Sequence, residues 1–224
     1  MNENQCVTIN EDFLYIYFKS LKDIYVNLST IKQKIVYGTV NKVVFISNFP
    51  PHAECCCSVS ERNLIIQFLN QTDVLTLSVL GENCFPEAMD VMLFCDLNLC
   101  YSNFFVNIDN YQCEELFSFE QQLRFRIGSN VLFSLNEKLC GNLDAELMLD
   151  LKLVNHIIDQ DKTEEEVQLF LDKLLARKDK RQIDFIISNH KSFRNMNLAL
   201  PNDFLAFKEG KYFCMLVADT YMFQ

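Results

Sequence analysis

The side chains with the widest chemical reach are ten cysteines and three histidines. Cys55, Cys56 and Cys57 are adjacent, and neighbours on a strand face opposite ways, so the three do not converge on one ion. Structural zinc takes a C-x2-C pair met by a second pair; Cys95 and Cys100 have no such partner pair, and His52, His156 and His190 are scattered. A cysteine nucleophile needs a histidine beside it in space, and no spacing singles one pair out. The phosphate loops G-x-x-x-x-G-K-[ST] and G-x-G-x-x-G, the elbow G-x-S-x-G and the zinc helix H-E-x-x-H are all missing. Carboxylates are plentiful but gather at turns and in the run Glu164-Glu165-Glu166. The expectation from residue chemistry is therefore no catalytic residue, no metal and no cofactor, with cysteines packing as small hydrophobes.

Composition sets the setting in which such residues would work. Half of the 224 residues are apolar and 20 are Phe, which supports a packed core and excludes a disordered chain. Five Gly and four Pro leave little material for linkers. A formal charge of -10 repels a phosphate backbone, so direct nucleic-acid binding is not expected. The one basic cluster, Arg177, Lys178, Lys180 and Arg181, is broken by Asp179 and suits a solvated helix end. Residues 1–11 are polar, without the apolar region of a signal peptide, and runs such as 43–46 and 91–95 are too short to span a bilayer. A cytoplasmic chain with reduced thiols and no membrane partner is the corresponding expectation.

The elements that must position any site read mostly as short strands. Residues 7–26 fit two strands around a turn at 19–23, and residues 40–49 form a strand ended by Pro50-Pro51. Ser60 reads as the N-cap of a helix carrying Leu64, Ile65, Phe68 and Leu69. Residues 73–79 fit either helix or strand. Strands follow at 91–95, 100–108, 115–119, 131–135 and 147–154, with Asp96-Leu97-Asn98, Asp109-Asn110 and Gly141-Asn142 as turns, and this pattern predicts a small antiparallel barrel. Residues 162–180 form the clearest helix: Thr163 and Glu166 have capping-box spacing, and Val167, Phe170, Leu171, Leu174 and Leu175 make an apolar stripe. Strands at 183–187, 204–207 and 212–217 close the chain, with Gly210 in a hairpin turn.

One stretch carries a family resemblance. The run from Phe104 through Ile108-Asp109-Asn110-Tyr111-Gln112-Cys113-Glu114-Glu115-Leu116 to Leu123-Arg124 resembles the Tudor pattern V-x-F-I-D-Y-G-N-x-E-x-V followed by L-R. Ile108 and Asp109 match its I-D pair, Glu115 falls near its acidic residue, and Pro86 with residues 90–94 resembles its entry strand. Over about residues 34–181 the chain is similar to an extended Tudor domain, a barrel inserted into an OB-like, staphylococcal-nuclease-like body. The cage tyrosine and glycine of that family are Asn110 and Tyr111 here, and the chain has no Trp.

The resemblance implies a β-rich α+β fold. Residues 1–84 form the first part of the OB/SN-like domain with its connecting helix, 85–126 the antiparallel Tudor-like barrel, and 127–224 the second part with the closing helix. It also implies a non-enzyme: a germline RNA-silencing scaffold of the piRNA pathway, in cytoplasmic or perinuclear granules. Such a scaffold binds an arginine-containing segment of a PIWI-type Argonaute protein, independently of methylation. Its peptide site would comprise Phe94, Tyr101, Asp109, Asn110, Tyr111, Gln112, Glu114 and Glu115, since guanidinium favours carboxylate forks and aromatic faces; for Phe94, barrel core is the competing role. The rival readings are a structural or assembly protein of unrelated β-rich fold, of viral type, and an enzyme with a cysteine or acid–base site that no motif reveals.

Overall fold

A computed structural model describes residues 7–10, 12–37, 40–47, 57–82, 84–107, 142–175 and 188. Strands β1 (Val7–Asn10) and β2 (Phe13–Phe18) pair antiparallel, and from β2 onward the chain alternates strand and helix. Helix α1 (Leu21–Tyr37) leads to β3 (Lys42–Ser47), α2 (Val59–Gln71) to β4 (Leu75–Leu80), and α3 (Pro86–Met92) to β5 (Leu97–Tyr101). A short antiparallel pair, β6 (Phe105–Asn107) and β7 (Asn142–Asp144), is followed by α4 (Ala145–Asp150), β8 (His156–Ile158), a 3-10 turn at Gln160–Lys162 and α5 (Thr163–Leu175).

One six-stranded sheet organises these elements in the order β1-β2-β3-β4-β5-β8. Every pairing from β2 to β8 is parallel. A parallel neighbour needs a crossover of a dozen or more residues, and α1, α2 and α3 supply it. The expected antiparallel Tudor-like barrel in an OB body is thus corrected. Strands β3 and β4 are buried on both faces, as a sheet covered on both sides requires, and not on alternate residues as in a small half-solvated barrel.

Alternation along each strand separates two cores. Leu14, Ile16 and Phe18 of β2 and Val43 and Phe45 of β3 face α1, α2 and α3; Phe13, Tyr15, Val44, Ile46, Leu77 and Val79 face the other way, toward Val167 and Leu171 of α5. Thr76 and Ser78 are polar yet buried between β4 and β5, and each is satisfied. Asp96 Oδ2 accepts from Thr76 N at 2.8 Å and from its hydroxyl at 2.7 Å, and Ser78 donates to Asn98 Oδ1 at 2.7 Å. Asn98 in turn exchanges bonds with Asn155 of the turn before β8. Asp96-Leu97-Asn98 is therefore the start of a buried strand and not a surface turn.

Three helices replace predicted strands or turns. Ser20 and Asp23 form a reciprocal cap: Asp23 Oδ2 accepts from Ser20 N at 2.9 Å and Asp23 N donates to Ser20 Oγ at 3.3 Å. That cap starts α1, whose Leu21, Ile24, Leu28 and Ile31 are buried at helical spacing. At α2 the capping residue is Ser58, two positions before the expected Ser60, and Glu61 completes the box while also pairing with Lys22 of α1. Residues 91–95 belong to α3 and the turns after it, because Pro86 at the first helical position and the buried Met89, Val91, Met92, Leu93 and Phe94 suit a short helix set in the core.

Residues 147–154 hold the end of α4 and its C-terminal turn. Lys152 N donates to Leu149 O and Leu153 N to Met148 O, each at 2.9 Å, so Lys152 fills the left-handed position with φ 59°. That conformation favours glycine, and Lys152 is exposed. We expect Lys152→Gly to stabilise the fold by about 1 kcal/mol, read as a higher urea midpoint at constant slope. A lower midpoint would show that the lysine side chain outweighs the backbone strain.

Candidate functional site

In a parallel sheet the carboxyl ends of all strands lie along one edge, and the registers here align them: Phe18 with Ser47, Leu80 with Cys100, and Tyr101 with Ile158. Ligands of open α/β sheets sit outside that edge. A cleft of about 540 Å³ opens there, walled by Tyr17 of β2, Ile46 and Ser47 of β3, Tyr101 of β5, and the chain from Gln160 to Glu165 that enters α5.

Ser47 is buried with its hydroxyl fully used. It donates to Val79 O at 3.1 Å and accepts from Gly81 N at 2.6 Å. With its proton committed to a carbonyl, it is a brace between strand ends and not a nucleophile. Gly81 belongs to the same brace: a Cβ there would lie 2.8 Å from the Ser47 carbonyl oxygen. Among the described residues, Cys57, Cys84, Cys95 and Cys100 are buried and not in disulfides; burial pushes the Cys100 thiol up to about 12 and raises the Cys84 thiol as well, which keeps both from acting as nucleophiles.

Acid–base chemistry sits on the other wall. Tyr17 donates its phenol to Glu164 Oε1. Thr163 Oγ1 donates to Gln160 O at 2.9 Å, so the Tyr101 hydroxyl, 2.9 Å away, donates to Thr163. Burial raises both tyrosines, and for Tyr17 the bond to Glu164 adds to the effect. Both phenols therefore keep their protons through the neutral range, and of the described carboxylates lining the cleft, Asp161, Glu164 and Glu165, Glu164 is the half-buried one held by a phenol. The expected box of Thr163 and Glu166 forms differently: Glu166 Oε2 accepts from Asp159 N at 2.6 Å, reaching past the 3-10 turn. Among the described residues no group of three metal-ligating side chains converges.

A retained phenolic proton has a consequence for stability. An unfolded tyrosine ionises near pH 10, while Tyr17 in the fold holds its proton higher, so its contribution is full below about pH 10 and is lost as pH rises beyond. Tyr17→Phe should cost about 1 kcal/mol at neutral pH, because the Glu164 bond is lost, and should flatten the alkaline decline. Urea midpoints from about pH 8 to about pH 11 test this, and an unchanged alkaline slope in the variant would refute it.

The sequence-predicted site residues meet three outcomes. Tyr101 lines the cleft, whereas Phe94 is buried in the core beside α3. Asp109, Asn110, Tyr111, Gln112, Glu114 and Glu115 lie outside the described residues. Glu164 was visible in the sequence as a helix-start charge and Tyr17 as a strand aromatic; no motif signals their meeting, because 147 residues separate them.

Solved structures share this architecture. An enoyl-CoA hydratase from Thermoplasma volcanium matches with a TM-score of 0.64 at 16% identity, over 95% of this chain and 92% of its own. An enoyl-CoA hydratase/isomerase family protein from Silicibacter pomeroyi matches at 0.60 and 14%, over 96% and 99%. A methylmalonyl-CoA decarboxylase in complex with 2-nitronate-propionyl-CoA matches at 0.62 and 12%, over 96% and 91%. The chain has the crotonase fold. Neither a family model nor a curated protein sequence matches it.

This fold corrects the expectations drawn from the Tudor resemblance. Without a Tudor barrel there is no extended Tudor domain, and the arginine-peptide function, the PIWI-type Argonaute partner and the piRNA, germline and granule setting all fall with it. The assembly protein of unrelated β-rich fold falls too, since the sheet is parallel and helix-covered. The expectation of a non-enzyme rested on the missing catalytic motifs as well as on that barrel, and it is corrected by the fold: the solved proteins of this fold named above include a hydratase and a decarboxylase. Among the described residues no helix is long and apolar enough to cross a membrane.

Proposed function

We propose that this protein is an enzyme that acts on an acyl thioester by proton transfer, with Glu164 as the base. The observation that carries the proposal is the Tyr17–Glu164 pair, held in an open cleft at the carboxyl edge of a crotonase-fold sheet. The likeness to proteins named as an enoyl-CoA hydratase and a methylmalonyl-CoA decarboxylase supports the substrate class. In a hydration, Glu164 takes a proton from water, the water oxygen bonds to the β-carbon of an α,β-unsaturated thioester, and the double-bond electrons move to the thioester as an enolate. The α-carbon then takes the proton back from Glu164, so the net change is addition of one water. Tyr17 orients the carboxylate, and the Tyr101–Thr163 bond fixes the helix start that presents it. The buried thiols, none in a disulfide among the described residues, suit a reducing cytoplasm, which this reading takes as the compartment.

The test is calorimetric titration with crotonyl thioesters on two carriers, coenzyme A and N-acetylcysteamine. It is followed by loss of the ultraviolet absorbance of the conjugated thioester. Saturable binding with turnover on either carrier is the expected result. Failure to bind or turn over both overturns the proposal.

A further inference from the structure

The cleft extends well beyond the reacting pair. Strand β2 turns Phe13, Tyr15 and Tyr17 toward α5, and directly opposed residues of neighbouring strands share a face. The β1 partners of Phe13 and Tyr15 are Asn10 and Thr8, so these two face α5 as well. Asn10 lines the same cleft of about 540 Å³ as Tyr17, although it lies level with Phe13, four residues back along β2. At about 3.3 Å per residue, the cleft reaches about 13 Å from the carboxyl edge along the sheet face. Gln168, one helical turn beyond Glu164, lines it from α5. A second polar group lies next to Asn10 on the same face: the Thr8 hydroxyl is buried and makes no hydrogen bond.

Resting on the thioester reading, we infer that the substrate's acyl chain runs along this groove and bears a hydroxyl near its far end, held by Asn10 and Gln168. The carrier arm of a thioester leads out to solvent and leaves by the strand-end edge, so the part that reaches back along the sheet is the acyl part. The carboxamides of Asn10 and Gln168 each offer a donor and an acceptor, and a hydroxyl answers both. A hydrocarbon end would strip those amides of water and return no hydrogen bond, which is how a polar pocket rejects an apolar analogue. The same hydroxyl, seated between Asn10 and Thr8, would also supply the partner that the Thr8 hydroxyl lacks.

The experiment titrates the full chain by calorimetry with two N-acetylcysteamine thioesters that differ by one oxygen, ω-hydroxydecenoyl and decenoyl, with crotonyl as the short reference. The hydroxylated compound should bind about ten-fold more tightly than decenoyl, the worth of one or two hydrogen bonds. Asn10→Ala combined with Gln168→Ala should weaken the hydroxylated compound until the two bind alike; neither residue is buried in the core, and the comparison on the unaltered chain decides even without the variant. Equal or tighter binding of decenoyl would overturn the inference, as would a preference that survives in the double variant. If exchanging N-acetylcysteamine for pantetheine tightens decenoyl while the hydroxyl adds nothing, the groove holds the carrier arm and the inference fails. Binding of crotonyl alone would overturn it too and leave the thioester reading standing. Binding of none of these thioesters would overturn the reading itself.

Discussion

Glu164→Gln should lower kcat on the responsive thioester by about 10²–10⁴-fold, the usual contribution of a positioned general base. Glutamine keeps the size of the side chain and an oxygen that accepts from the Tyr17 phenol, but it cannot carry a proton away. KM should therefore change little, and the urea midpoint should move by no more than about 1 kcal/mol. Glu165→Gln is the matched control, since Glu165 is the exposed neighbour on the same cleft wall. A loss of under ten-fold in Glu164→Gln, or an equal loss in the control, would remove Glu164 from the chemistry. The pH profile adds a second reading. Both neighbouring phenols stay protonated through the neutral range, so a basic limb arising below about pH 9 would belong to a group other than Tyr17 or Tyr101.

Why the sequence led to a barrel is visible at particular residues. The helix at Thr163–Leu175 and the strand at Lys42–Ser47 were legible because one carries a capped stripe and the other an apolar run stopped by prolines. Helix α1 was missed because Ile24, Tyr25 and Val26 look like strand residues, which hid the Ser20–Asp23 cap and the buried series Leu21, Ile24, Leu28 and Ile31. Residues 86–92 and 145–150 form helices of only seven and six residues, too short to show a periodicity that separates them from strands. The turn after α4 gave no glycine signal, because Lys152 occupies the left-handed position. Sheet direction was hidden for a related reason: β4 is buried at every residue, and its polar Thr76 and Ser78, which bond to Asp96 and Asn98, left residues 73–79 fitting either helix or strand. The cleft was legible only through Tyr101. Its other members are ordinary strand and helix-start residues until the parallel sheet brings its strand ends to one edge.

The largest stability effect should fall on the strand that joins the two halves of this arrangement. Phe45 is completely buried in β3, flanked by Ile16 of β2 on one side and Ser78 of β4 on the other. Its ring packs into the core under the helices, while the next residues, Ile46 and Ser47, form the cleft wall. Phe45→Ala should cost about 3–5 kcal/mol, from lost transfer energy and the cavity left behind. Against a total of about 5–15 kcal/mol for a domain, that is a large share of what keeps the chain folded. Phe45→Leu fills most of the space and should cost about 1–2 kcal/mol. Denaturant midpoints at constant slope measure both. A cost below about 1 kcal/mol for the alanine variant would place β3 at an edge instead of inside the sheet. Because the parallel order depends on β3 lying between β2 and β4, that result would also dissolve the strand-end edge on which the Tyr17–Glu164 cleft is built.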